Sequence, residues 1–348
     1  MPGFIRVITG GSPREIGVDI GRATVDIVRE LAAANPAFFE RQTGRKFGFL
    51  RRRVWRDYFP FVRRIFPGYV DELRGLAEGA GIPFEDLFVI SAEEEILDTW
   101  GGWDKCSSAA VCAPDGLYLL HNEDYIGRYE HRLVLIDAAP QGRPAFLSLS
   151  YPGTLAGSSC GLNSAGLAMS GNSLRLRPRR RGLPKNFVLR SLLGAGTLAA
   201  AHRLMKVEPR LVGNNAMIVS AAEDRAAYIE AASRQAVLVP LDDAGHLAHT
   251  NHILAPRLSR AGESPTASSL RRLAGLDSIL AARRGRPTLA FMKRVLSSAE
   301  HGLCYHGCGE ETPTTLASII MDPARRRMFV AARGPSGGRY REYRLAGR

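Results

Sequence analysis

Apolar positions in the first hundred residues recur at helical spacing. Ser12-Pro13-Arg14-Glu15 reads as a capping box with proline at the first helical position, which satisfies orphan amides and presets φ. Ile16, Ile20, Ala23, Ile27 and Leu31 follow at that spacing and predict one buried stripe. A second helix carries Tyr69, Leu73, Leu76 and Ala80 on one face, with Gly81 and Pro83 to stop it. Residues 41–66, crowded with arginine and aromatic side chains, follow neither period.

The pattern changes at Cys106. Short apolar runs separated by Gly, Pro and Asp predict antiparallel strands over 117–121, 133–137, 145–151 and 166–171. A helical stretch over 186–207 comes next, then strands over 215–220, 226–231 and 236–240. Helices are expected after Ser264-Pro265 and after Pro287, and closing strands over 315–321, 328–332 and 340–344. Strands in runs and helices in separate blocks indicate an α+β fold, with helices covering antiparallel sheets. Neither a dinucleotide-binding GxGxxG after a strand nor a Walker-type phosphate loop is present.

Composition changes this picture little. A chain of 348 residues, 45% hydrophobic, can bury a full core as one large domain or two modest ones. It holds no 18-residue apolar stretch and its first residues lack a secretion signal, so no membrane partner and a cytoplasmic location are expected. The net charge of +13 invites a nucleic-acid reading, but only five of the 47 basic residues are lysine and the arginines run from Arg6 to Arg348. The one dense group, Arg175, Arg177, Arg179, Arg180 and Arg181, is broken by Pro178 and reads as a solvated loop. A basic polyanion-binding protein is therefore the weakest functional class, and no nucleic-acid partner is expected.

Five cysteines, an odd number in a chain without a signal, indicate free thiols. Cys304 and Cys308 flank His306 but have no second ligand pair, so no metal is expected; Cys112 and Cys160 read as small buried hydrophobes. Cys106 is different. It stands between the loop Gly101-Gly102-Trp103-Asp104-Lys105 and an apolar strand, a setting that suits an exposed nucleophile. Asp124, Asn172 and Asn251 fall at further strand ends, and asparagine is a poor strand former but a good donor to an oxyanion. Two bases for the thiol stay open on the residues alone. One is a histidine, with His121, His249, His252 and His306 available, in a cysteine hydrolase that does not cut itself.

The other follows from a resemblance. Residues 104–125, DKCSSAAVCAPDGLYLLHNEDY, resemble a junction in the acyl-coenzyme A:6-aminopenicillanic acid acyltransferase family of N-terminal nucleophile hydrolases. The resemblance extends to 68–81, to 161–174, to His249-Thr250-Asn251-His252 and to 315–322. It implies a four-layer αββα domain made as a precursor that cuts its own Lys105–Cys106 bond. A helical segment of residues 1–105 and a catalytic part of residues 106–348 would then stay together as a heterodimer. It implies that the freed α-amine of Cys106 is the base, that Asp124 orients it, and that Asn172 and Asn251 hold the oxyanion. The implied substrates are small amides or acyl compounds, acyl-coenzyme A among them, with no cofactor. Such members commonly place glycine before the nucleophile, where this chain has Lys105. Residues 125–175 and 225–260 are expected to line the pocket.

Overall fold

The computed structural model describes residues 4–100, 106–174, 181–232, 234–334 and 339–347. Lys105 and residues 175–180 of the arginine group therefore lie outside the described residues, while Arg181 pairs with Asp57 at 2.8 Å.

The chain opens on a strand, β1 (Ile5–Gly11), and not directly on a helix. The capping box then starts α1 (Pro13–Ala23): the Ser12 hydroxyl accepts from the Glu15 amide, and the Glu15 carboxylate accepts from the Ser12 amide. The expected single stripe is divided at Thr24, whose hydroxyl bonds back to the Ile20 carbonyl. Beyond it α2 (Val25–Thr43) buries Val28 and Leu31, while Ala23, the last residue of α1, is exposed. The unassigned stretch forms α3 (Phe47–Asp57) and α4 (Phe59–Ile65). Next, α5 (Pro67–Ala80) ends at Gly81, which takes the left-handed cap conformation at φ +65°. Helices α6 (Phe84–Ile90) and α7 (Glu93–Trp100) complete this half.

Helices α1 and α5 touch backbone to backbone. A Cβ at Gly17 would lie 1.9 Å from the Glu72 carbonyl oxygen, and one at Gly75 would lie 2.1 Å from that of Arg14. Gly21 and Gly79 repeat the arrangement one turn on, so glycine is required there by the close approach.

The remaining strands are β2 (Ser107–Ala113), β3 (Gly116–Ile126), β4 (Val134–Pro140), β5 (Phe146–Ser150), β6 (Cys160–Asn163) and β7 (Leu167–Leu174). After α8 (Lys185–Leu192) and α9 (Leu198–Met205) come β8 (Gly213–Ser220), β9 (Arg225–Ala232), β10 (Gln235–Pro240) and β11 (His246–His249). The chain closes with α10 (Ala267–Ala281), α11 (Leu289–Leu296), β12 (Pro313–Asp322), β13 (Arg327–Ala332) and β14 (Arg341–Arg344).

Eight strands form one sheet in the order β1-β4-β5-β6-β7-β8-β9-β10, and six form another in the order β11-β2-β3-β12-β13-β14. Every pairing is antiparallel except β1 with β4. The sheets face each other through β2, β3, β7 and β8. Helices α1, α8 and α9 cover the outside of the larger sheet, and α10 and α11 that of the smaller. This is the four-layer αββα arrangement, and residues 4–11 are woven into it.

Candidate active site

Period-two alternation in β2 and β3 decides where each polar side chain goes. On β2, Ala109 and Val111 pack with α10 and α11, while Ala110 belongs to the core between the sheets. Ser107 therefore faces α10, and Ser108 reaches across to Ser170 and Asn172 on β7. Pairing of Ser108 with His121 carries the alternation into β3. His121, Glu123 and Tyr125 face the other sheet; Asn122 faces α11 and bonds to the Leu296 carbonyl, and Asp124 shares its face.

Cys106 immediately precedes β2, with φ +27°, a conformation costly for a residue bearing a Cβ. Its side chain is buried, and Sγ lies 3.5 Å from Glu123 Oε1 and 3.9 Å from the main-chain oxygen of Asp124. Burial pushes the thiol well above its ordinary pKa; the charges of Glu123 and Asp124 add to this, and Lys185 opposes it.

Glu123 behaves in the opposite way. Burial pushes its pKa up, but hydrogen bonds outweigh burial and hold the carboxyl below its usual range. Tyr151 donates to Oε1 at 2.6 Å, His121 Nε2 lies 2.9 Å from Oε2, and Ser159 donates to Oε2. Asp124 is raised to about 7, chiefly by burial, against the opposing effects of Arg272 and Thr315. Its Oδ1 accepts from Thr315 Oγ1 at 2.6 Å, while the buried Oδ2 has no hydrogen-bond partner.

Arg272 on α10 is a residue that the sequence pattern did not single out. Its fully buried guanidinium donates to the Cys106 carbonyl at 2.7 Å, to Ser107 Oγ at 2.9 Å and to Asn251 Oδ1 at 2.8 Å. One side chain thus ties the Cys106 main chain to the Asn251 side chain. The Asn251 amide nitrogen donates to the Ser173 carbonyl over 3.4 Å, a long bond.

Asn172 is held differently. Its nitrogen donates to the carbonyls of His249 and Thr250 at 3.2 and 2.9 Å, and its oxygen accepts from Ser108. Both Asn172 amide hydrogens are thus bonded to the 249–250 main chain. Among the histidines, His121 has Ser108 at one ring nitrogen and Glu123 at the other, and His249 is engaged by Thr250 and Glu230. His252 bonds to Ser269.

Two clefts are lined by side chains of this site. One of about 450 Å³ is walled by Glu123, Tyr125, Tyr151 and Lys185, together with Glu93 and Glu94 from α7. The other, about 490 Å³, lies between Asp98 and the Asn251–Ile253 turn. Part of the expected 125–175 and 225–260 lining is present, and α6, α7 and the 262–266 loop supply much of the rest. Lys185 is buried and bonds to Glu94 at 2.5 Å and to Ser173 at 2.9 Å, so Glu94 keeps it charged despite burial. Among the described residues, Cys106, His121 and Glu123 offer ligand atoms within 4.8 Å of one another, whereas Cys304, His306 and Cys308 form no such group.

The model of the acyl-coenzyme A:6-aminopenicillanic acid acyl-transferase family matches residues 111–336 of the chain. The chain belongs to that family. Asp124, Asn172, Asn251, Arg272 and Thr315 lie within the matched stretch, and Cys106 lies just ahead of it. The chain is similar to the beta-alanyl-dopamine/carcinine hydrolase of Drosophila melanogaster, with 26% identity over 216 residues covering 57% of this chain and 56% of the relative. The chain thus spans a little over half the length of that curated relative.

Two solved structures are also similar. A mutant of conjugated bile acid hydrolase from Clostridium perfringens has a TM-score of 0.45 and 11% identity, covering 69% of this chain and 97% of its own. Penicillin V acylase from Agrobacterium tumefaciens has a TM-score of 0.43 and 12% identity, covering 65% and 82%. No described helix is long and apolar enough to cross a membrane.

Proposed function

We propose that this chain is a self-processing N-terminal cysteine amidohydrolase or acyltransferase. In the precursor, Cys106 Sγ attacks the carbonyl carbon of Lys105, the carbon–nitrogen bond breaks, and the Cys106 nitrogen leaves as an amine. Water then hydrolyses the thioester and frees the thiol. An α-amine has a reference pKa of about 7.7–8.0, so near neutral pH it accepts the thiol proton in later turnovers. The thiolate attacks a substrate amide, the departing amine takes the proton, and the acyl group passes from sulfur to water or to an amine.

The observation that carries this reading is Asp124 Oδ2, a buried carboxyl oxygen without a hydrogen-bond partner, in a residue whose charge reaches Cys106. A buried polar atom left unpaired costs about 1–3 kcal/mol, and a new ammonium there removes that cost. The left-handed φ of Cys106 supports it too, as strain next to the bond to be cut. Residues 1–105 remain associated after cleavage in this reading, because β1 pairs within the larger sheet and α7 walls the pocket.

Intact-mass spectrometry tests the proposal. The wild-type chain gives fragments of residues 1–105 and 106–348, and Cys106→Ala stays whole. An uncut wild-type chain that turns over amides would sink it. A panel of N-acyl amino acids, β-alanyl amides and penicillins then identifies the acyl group.

A further inference from the structure

The self-cleavage proposed above lacks a base at its first step. Before the cut, the Cys106 nitrogen is an amide, its lone pair delocalised, so it cannot accept the thiol's proton. The thiol is 3% exposed, which removes bulk water as the acceptor. Among the described residues, two acceptors lie within reach of Sγ: Glu123 Oε1 at 3.5 Å and the Asp124 main-chain oxygen at 3.9 Å. A peptide carbonyl is too weak a base, which leaves the carboxylate. Lys185 is a donor, already engaged with Glu94 and Ser173. The His121 nitrogen on that side is occupied by Glu123 itself.

We propose that Glu123 is the base of self-cleavage. As Sγ bonds to the carbonyl carbon preceding Cys106, the thiol proton moves to Glu123 Oε1. As the carbon–nitrogen bond breaks, that proton passes to the Cys106 nitrogen, which leaves as the amine. Glu123 ends as it began, a carboxylate, and the new amine takes over as base for later turnovers.

The surroundings of Glu123 fit this task. Tyr151, Ser159 and His121 hold the carboxylate ionised inside the core, with Oε1 directed at sulfur. The same bonds weaken it as a base, so transfer must accompany sulfur–carbon bond formation and not precede it. Asp124 is poorly placed for the step, because its carboxylate leaves β3 on the opposite face and is bonded to Thr315.

Cell-free synthesis tests this, because the uncut chain is the first product and its loss is timed by intact mass. A positioned base contributes about 10²–10⁴-fold, so Glu123→Gln slows cutting at least about a hundredfold. Glu123→Ala is equally slow, and added formate, which fits the vacated space, restores part of its rate but none to Glu123→Gln. Wild-type cutting falls off in acid with one titration in or below the ordinary carboxylate range. Wild-type speed in Glu123→Gln overturns the proposal, as does a wild-type profile that titrates near neutrality. The wild-type profile does not depend on whether either variant folds. If the wild-type chain is never cut, the underlying function fails instead, a separate result.

Discussion

Glu123 and Asp124 are consecutive residues of one strand, yet their carboxylates occupy opposite faces of the sheet. Glu123 meets the Cys106 sulfur and the Tyr151 hydroxyl; Asp124 meets the Thr315 hydroxyl. Glu123 is held below the usual carboxylate range by three hydrogen bonds, and Asp124 is lifted to about 7 by burial with one. Two identical functional groups thus have different protonation behaviour within one residue of each other.

The raised Asp124 has a consequence for stability. The uncut folded chain binds a proton at Asp124 up to about pH 7, whereas the unfolded chain releases it near pH 4. Between those values the folded state holds more protons, so stability falls as pH rises. At about 1.4 kcal/mol per unit, the loss is on the order of a few kcal/mol. Urea unfolding of Cys106→Ala at pH 4.5 and pH 7.5 should show it, and the added change Asp124→Asn should lessen it, leaving the share of Glu95, which burial also lifts to about 7.

The two asparagines should separate cleanly. Asn172→Ala strands the His249 and Thr250 carbonyls in the core and is expected to lower unfolding stability by about 2 kcal/mol or more. Asn251→Ala should cost less stability but lower kcat by about 10²–10³-fold, the effect of losing an oxyanion donor. Thermal unfolding and steady-state kinetics on both variants check the contrast.

Arg272 joins three acceptors with one planar fork. Lysine keeps the charge but cannot span them. Arg272→Lys should therefore slow both processing and kcat by at least about tenfold, with KM changing less, because the nucleophile and Asn251 lose their common anchor. A KM rise with unchanged kcat would argue against this role.

The contact between α1 and α5 predicts opposite outcomes for two glycine substitutions. Gly17→Ala drives a methyl into the Glu72 carbonyl, and the helices must part at a cost of about 1–3 kcal/mol or more. Gly48 on α3 has only the Arg52 guanidinium, 3.7 Å from a new Cβ, so Gly48→Ala should stabilise by up to about 1 kcal/mol. Denaturant midpoints for the two variants decide it.

Much of the architecture was legible along the chain. The Ser12 box, the Gly81 stop and most strands of the two sheets stand where local pattern puts them, since caps, turns and alternation are properties of neighbouring residues. Strand β1 was missed because it is a partly exposed edge strand whose partner, β4, lies far along the chain. Four-residue β6 was too short to show a period. In 41–66, arginines and aromatics around the short helices α3 and α4 obscured the stripe.

At the site, the sequence alone determined the chemical inventory: a cysteine at a strand start, an aspartate eighteen residues on, and asparagines where strands end. Tertiary structure decided their use. Which of two adjacent acids meets the thiol depends on strand register, and which asparagine keeps a long amide bond depends on the turn it holds. Which arginine reaches the Cys106 main chain depends on where α10 crosses β2. These contacts join residues up to 166 positions apart. Their geometry is set by the packing of sheets and helices, and no local spacing encodes it.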